Sequence, residues 1–350
     1  MSLKKPSEGD SRERPQEKRG KGPTGLPGFL DRFKGKKICV VGDIIADVFI
    51  FGKPYRLSRE APVVVVKYEK SSIYPGSAGN TINNLAALGA KVYPIGFVGG
   101  DSIGGKLMDF FSATKTIDTG GIIRVNGDTV TKTRILAGDT HVSKQQVIRI
   151  DKDDGRRHTA KEKALLMEKL AAICPHVDAV VVSDYGHGAV HPGVIEYMKI
   201  LASDKIVVGD SRYGLKKYAG FTMITPNESE AYALAGLKES DPIEEVGRKV
   251  LSAMHLSALL VTRGNRGMTL FLKNGAVHHI PISGKDDVTD VTGAGDTVCA
   301  AVALSLASGA SFLDASRIAN YAAGIVVMKR GTATVTIPEL KKSIENGGVI

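Results

Sequence analysis

Short apolar runs rich in β-branched residues alternate along this chain with longer stretches whose apolar residues recur every three or four positions. The first run, 37–41 (KICVV), ends on Gly42 and Asp43, the pattern of a strand buried on both faces. The same periodicities predict a helix over 81–88, a strand over 92–98 and a helix over 103–113. From residue 159 the rhythm is regular: helix 160–173, strand 178–183, helix 192–202, strands 205–209 and 221–225, and helices 228–235 and 242–253. Strand 258–262, a hairpin over 268–281 and long helices near 293–308 and 312–328 follow. Such alternation predicts an α/β fold, with a mostly parallel central sheet flanked by helices. Four strand-like pieces at 48–51, 63–68, 129–136 and 146–150 stand outside that rhythm and are expected to form a small β-sheet lid. Active sites in such sheets lie beyond the carboxyl ends of the strands. Each polar motif considered below follows a predicted strand.

The 350 residues, 43% hydrophobic and 24% charged, supply core enough for one large α/β body. That body is expected over 36–340, with lid strands near 48–70 and 129–150 and a short C-terminal tail at 341–350. Many of the forty glycines stand at the ends of apolar runs, where tight turns need them. The net charge of +10 is uneven: residues 1–36 hold ten Lys or Arg against five Asp or Glu. Residues 1–35, without apolar periodicity, read as a disordered basic tail. Trp is absent and aromatics are 6%, so no base-stacking platform for nucleic acid is expected. No apolar stretch is long enough to span a membrane, and no signal-peptide core is evident. Cys39, Cys174 and Cys299, odd in number and far apart, read as buried thiols in a reducing compartment, hence a cytoplasmic protein.

The sharpest chemical signal is Asp290-Val-Thr-Gly-Ala-Gly-Asp296-Thr297, a polar loop running into a helix. Gly293, Ala294 and Gly295 let consecutive amides approach an anion, and the helix N-terminus adds partial positive charge. Asp296 falls in the first turn of that helix. Donors for a phosphate and a carboxylate to take a proton thus share one short segment, which suits phosphoryl transfer. The plainer alternative is that Asp296 complements the helix dipole and the glycines merely pack closely.

With Gly76-Ser-Ala-Gly79-Asn80 before a helix and Asn227-Glu-Ser-Glu230 after a strand, the octet resembles the signatures of the ribokinase-like (PfkB) sugar kinases. The resemblance runs in order from about residue 36 to 340. It implies a ribokinase-like fold, ATP and Mg2+ as cofactors, Asp296 as general base, and a sugar-binding role for the Gly76–Asn80 segment. Within the family, Val41-Gly-Asp43-Ile-Ile-Ala-Asp47, Arg56-Leu-Ser-Arg-Glu-Ala-Pro62-Val, Gln145-Gln-Val-Ile-Arg149-Ile-Asp151, Ser183-Asp-Tyr185 and Leu260-Val-Thr-Arg263 look like the branch that phosphorylates O1 of D-glycero-D-manno-heptose 7-phosphate. The chain departs from that branch at Arg59, at Ser77 and Gly79, at His187 where a Lys is usual, and at Asp210-Ser-Arg-Tyr213 where Asp-Pro-Lys-Gly is usual. Arg212 could keep the lost charge, with a different geometry. Members of the branch are often fused to a nucleotidyltransferase; 350 residues leave no space for one, so the resemblance implies kinase activity alone.

Roles follow by position. Asp43, ending the first strand, is expected to bind sugar hydroxyls or to form a plain turn; Asp47 is a second candidate for the same role, or only begins the lid. Gly76 and Asn80 are expected at the sugar, although Asn80 could equally cap a helix. Arg134 and Arg149, with Lys132 on the same face as Arg134, are candidates for a sugar phosphate or for surface ion pairs. Asn227 and Glu230 are expected near ATP and magnesium, Glu230 through bound waters. Thr262 and Gly264 fit a nucleotide loop, and by resemblance Asn320 and Gly324 border the adenine. His187 and His191, four apart but separated by Gly188, read as a solvated loop. The lid has exposed edges whose pairing predicts a homodimer. A kinase of the same fold acting on ribose, a ketohexose phosphate or a keto-deoxy sugar acid is the nearest rival. A dinucleotide-dependent oxidoreductase is disfavoured because no Gly-x-Gly-x-x-Gly follows the first strand. Asp296 argues against a non-catalytic sugar sensor.

Overall fold

A computed structural model describes residues 25–138, 144–153, 155, 157–284 and 289–347. Strands β1 (Lys37–Gly42), β4 (Lys91–Gly99), β5 (Ile122–Val125), β8 (Ala179–Asp184), β9 (Ile206–Ser211), β10 (Met223–Ile224), β11 (Ala258–Thr262), β12 (Met268–Leu272) and β13 (Val277–Ile280) form one sheet. Its order is β13-β12-β11-β10-β9-β8-β1-β4-β5. All neighbours are parallel except β11–β12 and β12–β13.

Successive side chains of a strand point to opposite faces, so a strand covered on both sides needs an apolar residue at every position. Ile38 and Val40 enter one core while Cys39 and Val41 enter the other, and Ala258/Leu260 and Leu259/Val261 divide in the same way. Helices α2 (Ala78–Ala87), α3 (Ser102–Ser112), α8 (Ala294–Ala307) and α9 (Phe312–Val326) cover the first face. Helices α4 (Ala160–Ile173), α5 (Pro192–Leu201), α6 (Glu228–Ala235) and α7 (Ile243–Met254) cover the second. Among the described residues no helix is long and apolar enough to cross a membrane.

A smaller sheet, in the order β3-β2-β6-β7, is built from β2 (Ile44–Leu57), β3 (Val64–Ser77), β6 (Thr131–Ala137) and β7 (Gln145–Lys152). These are the four pieces that broke the α/β rhythm. β2 and β3 each run to 14 residues, longer than the sequence pattern indicates. Register shifts at Phe51/Gly52 and Pro54/Arg56 interrupt the period-two alternation that would have revealed their length.

Two boundaries move. Residues 25–35 belong to the folded body: α1 (Leu26–Leu30) leads to Leu30 and Phe33, both buried, with Leu26 and Phe29 packed against the same core. The spacing 26, 29, 30, 33 is helical, but charged neighbours mask it. At the other end α10 (Ile337–Glu345) buries Leu340 and is tied back by Lys341 to Asp31 at 2.6 Å. The rest of the basic tail, 1–24, and residues 348–350 lie outside the described residues. β5 is an element without a sequence signal, four residues against the edge of β4.

Candidate active site

Asp296 stands in the first turn of α8, almost wholly buried at the carboxyl side of the central sheet. The loop before it is pinned by Asp290, whose carboxylate accepts from the amides of Thr292 and Gly331, each at 2.9 Å. Gly293 caps the helix at φ +78°, and a Cβ there would fall 2.2 Å from Asn80 Nδ2. Glycine is thus required both by the backbone and by the approach of Asn80. That amide donates to Asp296 Oδ2 at 2.9 Å and to the Gly293 carbonyl at 3.2 Å. Asn84 donates to Asn80 Oδ1 at 3.1 Å, which turns the Asn80 nitrogen toward the carboxylate. The other oxygen, Oδ1, accepts from the Tyr185 hydroxyl at 2.8 Å. Burial pushes the Asp296 carboxyl up to about 6, while the bonds from Asn80 and Tyr185 hold it down.

The amides of Gly293, Gly295 and Asp296 have no acceptor among the described residues, whereas that of Ala294 is turned to the Val291 carbonyl at 3.2 Å. The expected row Gly293–Ala294–Gly295 is therefore shifted, with Asp296 taking the place of Ala294. The turn that closes before the helix explains the change.

Ala294 and Gly295 border a cleft of about 570 Å3 that Asn227, Glu230, Thr262, Gly264, Asn320 and Gly324 also line. Six residues spread over nearly a hundred positions thus meet in one space. Asn227 caps α6 in a reciprocal box: its side chain accepts from the Glu230 amide at 2.8 Å, and Glu230 accepts from the Asn227 amide at 2.9 Å. The second Glu230 oxygen has no partner among the described residues. Burial raises that carboxyl, with Arg212 opposing. Asn320 is spent on the Pro281 carbonyl at 2.8 Å, and a Cβ on Gly324 would meet the Ser283 carbonyl at 2.2 Å. Both shape the wall by fixing the 281–284 segment.

On the other side of Asp296 the lid meets the body. Asp47 of β2 is buried on this side, at the base of the lid. It lies so close to the backbone of Gly76 that a Cβ there would be 2.4 Å from its Oδ2, and its negative charge raises the Asp296 carboxyl. Asp43, expected to meet a sugar hydroxyl, instead accepts from the amides of Tyr185 (2.8 Å), His187 (3.1 Å) and Ala189 (3.0 Å). It serves the site by holding the loop that presents Tyr185. Lys132, opposite Asp47 in register, carries its ammonium 4.9 Å from the centre of the Tyr185 ring, and burial lowers its pKa. Arg134 and Arg149 face each other across β6 and β7, but each is already held by a carboxylate. Arg134 binds Asp47 at 2.5 Å, and Arg149 binds Asp151 through two bonds of 2.7 and 2.5 Å. His187 sits on Asp153 at 2.9 Å, and His191 stands apart from it at the start of α5.

Residues 35–340 match the model of the pfkB family carbohydrate kinases. The chain belongs to that family. The kinase is 39% identical over 311 residues to the bifunctional protein HldE of Geobacter sulfurreducens, covering 87% of this chain and 62% of that protein. It is 38% identical to HldE of Caulobacter vibrioides, covering 88% and 63%. It spans less than two thirds of the length of these relatives. Solved structures share the fold. Phosphofructokinase-2 from Escherichia coli with substrates and products aligns at TM-score 0.71 and 15% identity, covering 88% of this chain and 97% of that one. A ribokinase from Arabidopsis thaliana complexed with ribose and ATP aligns at 0.66 and 21%, covering 89% and 98%.

Sequence reasoning gave no role to two groups that the folded kinase brings to the site, Tyr185 and Asp210. Tyr185 follows β8 directly, so the rule that sites lie beyond strand ends could have found it. Asp210, at the end of β9, lines the larger cleft, and burial with Asp296 and Glu230 nearby holds its carboxyl well above the usual range. Lys132 had been paired with Arg134, but its proximity to Tyr185 depends on how the lid docks, which no local pattern encodes. A carboxylate oriented by two donors, beside a cleft that the start of its own helix borders, can take a proton from a hydroxyl while an anion is held nearby.

Proposed function

We propose that this kinase transfers the γ-phosphoryl group of ATP to O1 of D-glycero-D-manno-heptose 7-phosphate, giving the 1,7-bisphosphate that leads toward ADP-heptose and lipopolysaccharide core. The observation that carries the reading is the buried Asp296 carboxylate, fixed by Asn80 and Tyr185 where the lid meets the body. In this reading ATP occupies the larger cleft and the sugar the lid side of Asp296, against Asp47, Gly76 and Asn80. Asp296 takes the proton of the acceptor hydroxyl, its oxygen bonds to the γ-phosphorus, the bond to the bridging β–γ oxygen breaks, and ADP departs. The free amides of Gly293, Gly295 and Asp296 offset charge on the transferring group.

Magnesium suits the donor set. The unpartnered Glu230 oxygen and Asp210 supply carboxylates at the cleft, and among the described residues no cluster of three or more ligands forms a dedicated metal cage. An ion held largely through water and phosphate oxygens fits that arrangement, and when bound it would neutralise triphosphate charge. Likeness to HldE along most of the chain favours the heptose phosphate as acceptor. Exposed Tyr55, Leu57, Tyr68, Ile148 and Ile150 on the lid favour a homodimer formed through it. Buried free thiols at Cys39, Cys174 and Cys299 suit the cytoplasm.

The test is a panel of acceptors, namely heptose 7-phosphate, ribose, fructose 6-phosphate and a keto-deoxy sugar acid, with ATP consumption as readout and NMR of the product. The reading expects the heptose phosphate to be favoured and its anomeric carbon to carry the new phosphate. Preference for any other acceptor overturns it.

A further inference from the structure

A second hollow, of about 290 Å3, opens beside the base of the lid. It lies at the carboxyl ends of β1, β4, β5 and β8, whereas the larger cleft lies over β9, β10 and β11. Asp296 stands between the two. The hollow adjoins that base through Ile45, which shares a face of β2 with Asp47; both press on Gly76, and Ile45 also lines the hollow. The loop after β8 joins them again, since Tyr185 reaches Asp296 and the next four residues line the hollow.

Ile45, Phe97 and Val125 give the hollow an apolar floor, and its walls carry Arg157, Lys163 and two histidines together with three aspartates. His158 stacks on Phe97 with 3.8 Å between ring centres, and His187 comes from the β8 loop. Lys163 projects from the first turns of α4. The acids around it are engaged: Asp43 by three amides, Asp153 by His187 and Asp128 by Lys152 at 2.5 Å. Lys163 is half-buried and has no carboxylate partner among the described residues. An anion needs positive charge that is not already neutralised, and the lid arginines do not offer it, because Arg134 is bound to Asp47 and Arg149 to Asp151. We propose that the hollow receives the phosphate at the far end of the acceptor, with Lys163 as its charge partner and His158 and His187 beside it. This rests on the reading of the acceptor as a sugar phosphate and assigns that phosphate to the body, not to the lid.

The test compares heptose 7-phosphate with the unphosphorylated heptose as acceptors for wild type, Lys163→Met, Lys163→Gln and Arg149→Gln. Met and Gln both favour helix, and a melting curve checks the fold of each variant. Losing one charge-assisted contact should raise KM for the phosphorylated sugar about tenfold or more and narrow the preference for it by a similar factor. Lys163→Arg should restore most of that preference. Inorganic phosphate, used as a competitive inhibitor against the acceptor, should weaken in parallel in the two neutral Lys163 variants. Lys163 variants that keep the wild-type preference overturn the assignment, as does a larger loss in Arg149→Gln. A wild-type enzyme that turns over no phosphorylated sugar overturns both this assignment and the reading beneath it.

Discussion

Burial and two hydrogen bonds pull the Asp296 carboxyl in opposite directions, and the balance, at about 6, is what a base working near neutral pH needs. The carboxyl is protonated below that value and ionised above it, so kcat should fall as pH drops through about 6 and level off above it. Asn80→Ala removes a donor that favours the charged form. The acid limb of its pH–rate profile should therefore move to higher pH, and a limb that stays in place would show that Asn80 does not tune the base. At this scale the sequence was readable where chemistry is local. Asp296 and Gly293 lie in one octet whose spacing carries its own meaning. Asp47 and Tyr185 lie 249 and 111 residues from Asp296, and only the strand order brings them to it. Asp43 ends the first strand as the pattern predicts, but that its carboxylate takes three amides of the loop after β8 is visible only in the fold.

Among the elements, α6 in the proposed reading links stability to nucleotide binding. Its capping box joins Asn227 to Glu230, so one substitution should be felt in both properties. Asn227→Ala is expected to cost about 1 kcal/mol in chemical denaturation and to raise KM for ATP, because the released Glu230 side chain loses its anchor. A destabilised variant with unaltered KM would remove Asn227 and Glu230 from the nucleotide site. Most elements were legible because buried parallel strands are continuous apolar runs and their helices keep a 3.6-residue period. The exceptions share a cause. α1 and α10 are short helices whose apolar faces sit among charged residues, and β5 is too short to show any period. The lid strands were located but not measured, since bulges near Gly52 and Pro54 break their alternation.

The whole molecule is a central sheet with two cavities along its carboxyl edge, a cleft over β9, β10 and β11 and a hollow at the ends of β1, β4, β5 and β8, and Asp296 stands between them where the lid meets the body. The lid carries apolar side chains outward at Tyr55, Tyr68, Ile148 and Ile150, which a second copy of the chain would cover. Sedimentation should report a dimer for wild type and a monomer for a Tyr68→Lys/Ile148→Lys double variant; an unchanged dimer would move the interface off the lid. The central claim is that one buried carboxylate at the junction of these spaces performs the proton transfer. Single-turnover phosphoryl transfer by Asp296→Asn, with its fold checked by circular dichroism, tests this most directly. The account predicts a rate about 10²- to 10⁴-fold below wild type, and a rate within a few-fold of wild type would contradict it.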